Sequence, residues 1–262
     1  MQAKIFSFKY FQNERGIVLA ALIIFSGLAW WYTIHLAGTM DCCMVITKST
    51  WPFWSGQQFW MMFVMWAVMM VAMMVPTVVP IVLVFAMVNR KRHEQKKLYV
   101  STGFFILGYL IVWTVFSLLM TFLQEWLQAR AFISTNMVLN NQILQGSILV
   151  LAGIFQWTPF KNKCLTHCRS PFDFMMTDWR EGIGGAVMMG LRHGTFCLGC
   201  CWLLMILLFV GGVMNIAWII FLTIFVLGEK TFPYGRLISR VAGIAFFVWG
   251  SIIIFMSIRN IF

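Results

Sequence analysis

Between residues 183 and 210 an apolar run long enough for a bilayer carries Arg192, His193, Cys197, Cys200 and Cys201. At about 100° per residue on a helix, Met189, His193, Cys197 and Cys200 fall within an arc of roughly 80°, so one face presents a thioether, an imidazole and two thiols. A second run, residues 56–88, holds Met61, Met62, Met65, Met69, Met70, Met73 and Met74. Met62, Met65, Met69 and Met73 share an arc of about the same width. Thiolate and thioether ligands select monovalent copper, whereas magnesium, calcium and manganese want oxygen. The expectation is a copper(I) site built from His193, Cys197, Cys200 and Cys201 together with Met62, Met65, Met69 and Met73. The plainer reading is packing: cysteine is a small hydrophobe, methionine fills gaps, and Gly190, Gly194 and Gly199 allow close helix approach.

Two shorter sulfur groups flank these runs. Met40-Asp41-Cys42-Cys43-Met44 sets four sulfur side chains in five residues just before the methionine-rich run, where it would serve as a capture site. A strained disulfide between the adjacent cysteines is the alternative. Cys164-Leu-Thr-His167-Cys168 stands in the connection 159–182, and its spacing is not that of a zinc module. Taken by depth, the groups suggest a relay from Cys42 and Cys43 through the methionines to His193, Cys197 and Cys200, ending at Cys164 and Cys168. Arg192 would repel a metal ion unless it faces away or pairs, and Glu229 is the candidate partner.

The elements that must position these groups are membrane helices. Hydrophobic residues make up 61% of the 262 and charged residues 10%, against about 25% charged in soluble domains. The net charge of +11 lies in connections, where it reads as topology and not as affinity for nucleic acid. Seven apolar runs stand near the ~20 residues a bilayer core needs: 17–37, 56–88, 99–124, 140–158, 183–210, 213–229 and 237–258. Gly211 and Gly212 leave open whether the fifth and sixth are two spans or one broken helix. Lys4, Lys9 and Arg15, then Arg90 to Lys97, then Lys161, Lys163, Arg169 and Arg180, then Lys230, Arg236 and Arg240 all fall on one side of a seven-span arrangement. That asymmetry predicts a cytoplasmic N-terminus and an outer C-terminus. The first run could instead be a cleaved signal peptide, but it is longer than a signal core and carries Trp30, Trp31 and Tyr32 as an interfacial belt. Residues 1–15 suit a segment lying on the cytoplasmic surface. Pro76 and Pro80 predict a kink with freed carbonyls at membrane depth. The fold class is therefore all-α, a single polytopic helical bundle in a bacterial inner membrane.

Several stretches resemble a bacterial family of predicted metal-binding integral membrane proteins. They are Trp66-Ala-Val-Met-Met-Val-Ala-Met-Met-Val-Pro76, Gly153-Ile-Phe-Gln-Trp-Thr-Pro-Phe-Lys161 with Cys164-Leu-Thr-His-Cys168-Arg-Ser-Pro171, and Cys197-Leu-Gly-Cys-Cys-Trp202-Leu-Leu-Met205. Gly212-Val-Met-Asn215 and Glu229-Lys230 belong to the same pattern, and the resemblance covers roughly residues 56–250. It implies metal binding and supplies no activity; Met40 to Met44 lies outside it.

The expected function is a copper(I)-binding membrane protein that transports the ion or delivers it to a periplasmic or membrane copper protein. A transmembrane thiol–disulfide relay needs the cysteines but not the methionines, and an assembly scaffold needs neither. No phosphate-binding loop is present to couple ATP, and carboxylates are absent from the interior of the runs. No acid–base pair can be proposed, so an enzyme is not expected. The oligomeric state is left open.

Overall fold

The computed structural model describes the backbone of residues 2–43, 54–94, 102–134 and 137–260, and the side chains of 16–39, 54–89, 102–134 and 137–260. Ten helices make up the described chain: α1 Gln2–Cys43, α2 Gly56–Glu94, α3 Thr102–Ala129, α4 Gln142–Phe155, α5 Pro159–Arg169, α6 Pro171–Thr177, α7 Gly182–Ile206, α8 Leu208–Gly211, α9 Ile216–Thr231 and α10 Gly235–Arg259. Among the described residues the β-type pairing is a single bridge, Ile133 with Leu139.

Every apolar run holds a helix, but not all the helices are alike. Gly16–Thr39, Gly56–Asn89, Thr102–Ala129, Gly182–Gly211 and Gly235–Arg259 are long and apolar enough to cross a membrane. A sixth crossing results if α4 and α5, bent by 64°, form one broken span. α9 has 16 residues, about 24 Å of helix against the ~30 Å of a hydrocarbon core. Among the described residues, five or six helices thus meet the length and composition of a crossing, where the runs alone led to an expectation of seven. α1 continues without a break through residues 2–15, so the expected surface segment is helically continuous with the run that follows.

The expected connection 159–182 also departs from its reading as a loop, since it contains α5 and α6. Its start is fixed locally. Thr158 caps α5 by accepting from the Lys161 N–H at 3.3 Å, and Pro159, which has no N–H to give, sits at the first helical turn where none is needed. The chain therefore bends here instead of extending α4, and α5 folds back against α7.

A second reversal decides between two spans and one broken helix. α7 ends at Ile206, α8 follows, Gly212 takes a φ of +98° that side chains rarely adopt, and Asn215 caps α9 by accepting from the Trp218 N–H. From the turn, Lys230 comes back level with Cys197, its Nζ 2.9 Å from Cys197 Sγ. Cys197 to Gly211 and Ile216 to Lys230 are each about 14 residues, or roughly 21 Å of helix. The two elements are antiparallel arms of a hairpin.

α3 packs closely on α7. A Cβ on Gly190 would stand 2.0 Å from the Phe105 carbonyl oxygen, and one on Gly108 would stand 2.2 Å from that of Val187. Small residues facing each other across two membrane helices allow this contact, which brings Tyr109 of α3 against Cys197. Gly190→Ala is expected to lower stability by roughly 1–3 kcal/mol through overpacking, read as a lower detergent melting temperature. Gly184→Ala, with nothing within 4 Å of the new methyl, is the control that leaves it unchanged.

Candidate metal centre

The thiols of α5 and α7 meet in one group, buried except for the half-buried Cys168. Cys168, one turn from Cys164 on α5, lies beside Cys197 and Cys200. Cys164 sits against Gly199, where a side chain would stand 2.9 Å from its sulfur. Cys200 and Cys201 donate their S–H to the Cys197 carbonyl at 3.1 and 2.9 Å. All five are free cysteines. The relay order expected from depth is corrected on this point: Cys164 and Cys168 are not a separate terminal station but part of the group at the middle of α7, because α5 folds back.

Cys197 is the centre of the hydrogen bonding. The Lys230 ammonium gives its three hydrogens to Cys197 Sγ at 2.9 Å, Thr77 Oγ1 at 3.3 Å and Met74 Sδ at 4.0 Å. Of these three acceptors only Cys197 can carry the negative charge that balances a buried cation. The Tyr109 hydroxyl donates to the Met74 carbonyl at 3.2 Å and also stands 3.2 Å from Cys197 Sγ, so it has one proton for two acceptors. Met74 lies just before Pro76 in a helix carrying two internal prolines. Its carbonyl accepts from Thr77 as well.

His193 is 3% exposed and ringed by Phe105, Tyr109 and Phe174. Its Nδ1 has no hydrogen-bond partner among the described residues, one turn of α7 from Cys197. His167 does not join the group: it is exposed and stacks on the Phe196 ring at 4.4 Å. Met62, Met65, Met69 and Met73 are buried in the same core, running from the level of the thiols toward the N-terminal end of α2. The side chains of Met40, Cys42 and Cys43, and the whole of Met44, lie outside the described residues, as do those of the cations from Arg90 to Lys97.

Two charge assignments change. Arg192 pairs with Asp178, and its side chain is 48% exposed, so it points off the cluster and not toward Glu229. Glu229 is itself buried and accepts from Lys161 Nζ at 2.8 and 2.9 Å. Lys161 also donates to Gln156, whose Oε1 accepts from Ser239 at 2.8 Å. Lys161 and Lys230, read from the sequence as loop cations setting topology, are thus interior groups. The signal that would have found them is Glu229-Lys230 at the end of an apolar run, where a pair of adjacent opposite charges is too costly to leave in hydrocarbon without partners.

Among the described residues, no three His, Cys, Asp or Glu side chains are posed to hold a metal ion as they stand. The donor chemistry nonetheless suits a soft one: Cys168, Cys197 and Cys200 are mutually close, with a thioether and an orphaned imidazole nitrogen adjacent.

An all-helical protein with several membrane-length helices around a buried sulfur cluster belongs to the class of polytopic membrane proteins equipped for soft-metal or thiol chemistry. Residues 63–253 match the family described as PpoB2, copper chaperone, and the chain belongs to that family. This agrees with the metal-binding character implied by the resemblance, and the family's description names copper. No curated protein and no solved structure matches the chain.

Removing one partner of the Lys161–Glu229 pair leaves a buried charge uncompensated, a loss of about 3–5 kcal/mol. Glu229→Gln should therefore lower the detergent melting temperature sharply, and Lys161→Met with Glu229→Leu together should recover most of it.

Proposed function

We propose that this protein takes up copper(I) as cargo at the thiol cluster and hands it to a periplasmic or membrane copper protein. It does so as a non-enzymatic, seven-span carrier in a bacterial inner membrane, with its N-terminus in the cytoplasm. The observation that carries the reading is the packing of α5, with Cys164 and Cys168, against the Cys197–Cys201 segment of α7 inside a copper chaperone family member. Two or three soft ligands from different helices hold a cuprous ion while leaving room for ligand exchange with a receiving protein.

Each residue then has a part. Cys197, already held beside an ammonium, is the first ligand. Cys168 and Cys200 complete the coordination, Cys164 and Cys201 stand in reserve on the same side, and His193 offers Nδ1. Lys230 gives up its bond to Cys197 when the metal arrives, and Thr77 and Met74 retain it. Met62, Met65, Met69 and Met73 supply weak thioether stations between the cluster and the outer end of α2.

The same closeness of Cys168 to Cys197 and Cys200 also suits disulfide exchange, and the two readings part on the methionines. Purified under reducing conditions, the chain is expected to bind about one copper(I) per protein by mass spectrometry, in keeping with the preference of thiolates for that ion. Cys197→Ser with Cys168→Ser should abolish the binding. Replacing Met62, Met65, Met69 and Met73 with Leu should slow copper loading while leaving thiol–disulfide exchange intact. Failure to bind cuprous ion, with exchange preserved, would sink the copper reading in favour of the relay.

A further inference from the structure

We propose that the seam between α2 and α3 is a hydrated passage leading cuprous ion to the thiol cluster, with a thioether wall on α2 and a polar wall on α3. The proposal rests on the copper reading above and goes beyond it in assigning residues to the route.

The polar wall is a stripe on α3. Tyr109, Trp113, Ser117, Thr121, Gln124 and Gln128 fall within an arc of about 120° on the helix. Ser117, Thr121 and Gln124 are fully buried. Such groups are costly inside a membrane bundle unless they are satisfied. Three polar atoms on this stripe have no partner among the described residues: Trp113 Nε1, Gln124 Nε2 and Gln128 Oε1. Ser117 and Thr121 spend their hydroxyl protons on the carbonyls of Trp113 and Ser117, each at 2.8 Å. Their lone pairs remain free to accept. Donors and acceptors in want of partners are thus interspersed along one face, the pattern that ordered water satisfies with two to four hydrogen bonds per molecule.

The opposite wall is placed by one bond. Trp66 Nε1 of α2 donates to Gln124 Oε1 at 2.6 Å, and Met62, Trp66, Met69 and Met73 lie within an arc of about 60°. The face that carries Trp66 onto the polar stripe therefore carries these thioethers with it. At the inner end Tyr109 touches Cys197 and Met74, so the stripe ends on the cluster. A cation moving along the seam meets water on one side and soft sulfur on the other.

Hydroxyl-radical footprinting of the full chain in lipid nanodiscs tests this, because buried methionines oxidise fast only where water stands beside them. Met69 and Met73 are expected to label several-fold faster than Met175 and Met189, which are about as deeply buried but lie beyond the cluster. Ser117→Ala with Thr121→Val should bring that labelling down to the control rate. The same variant should slow copper(I) loading several-fold without changing the amount bound at saturation. Equal labelling of the two methionine sets in the unaltered protein overturns the passage, as does labelling that the variant leaves untouched. Labelling reads water and not copper, so fast labelling in a chain that binds no copper(I) supports the passage and counts against the copper reading alone.

Discussion

A positive charge buried in a membrane-type bundle needs a negative one within reach, and taking an ion out of water without it costs several kcal/mol. Lys230 meets that need at Cys197, and much of the surrounding structure follows. α9 has to return to the middle of α7 to make the contact, the proline-bearing stretch of α2 has to offer Thr77 and Met74, and α3 has to come close enough for Tyr109 to share the same sulfur. The neighbouring residue Glu229 points elsewhere, to Lys161, and through Gln156 and Ser239 it ties α4, α5 and α10 to the same helix. Two adjacent residues of one short helix thus organise both halves of the bundle, and the half tied by Glu229 includes the helix that carries Cys164 and Cys168.

On the proposed reading this arrangement also sets the character of the cargo site. Cys197 already faces one monovalent cation, and a cuprous ion held between Cys197 and a second thiol that gives up its proton forms a complex of net charge −1, which balances the retained Lys230 ammonium. A divalent ion would bring an excess. The polar stripe and the thioethers serve the same economy, offering an ion partial neutralisation by dipoles and sulfur without fixed charges that would trap it.

Much of this could be read from residue types and periods. The apolar runs located the helices because a bilayer-length segment cannot hide its composition, and the arc of His193, Cys197 and Cys200 was visible from helical spacing. What could not be read was contact between elements distant in the chain. Cys164 and Cys168 looked like a cytoplasmic pair because Thr158 and Pro159 do not announce which way a bent helix will turn. Lys161 and Lys230 counted as loop charges because a topology tally treats every cation near a run's end alike, and burial depends on partners such as Glu229 and Cys197 that periodicity does not reveal. His167 was grouped with its sequence neighbours, yet on α5 it falls on the outer face against Phe196.

The hairpin of α7 and α9 is built to a length. Its two arms match from Cys197 to the turn and from the turn to Lys230, and one residue more or fewer in either arm would rotate Lys230 by about 100° and shift it by ~1.5 Å. The ammonium would then face hydrocarbon while the thiol lost its counter-charge. Substitutions along the arms leave this match intact, whereas a single-codon insertion or deletion within either arm destroys it. The spacing between Cys197 and Lys230 is therefore as much a part of the site as the two side chains.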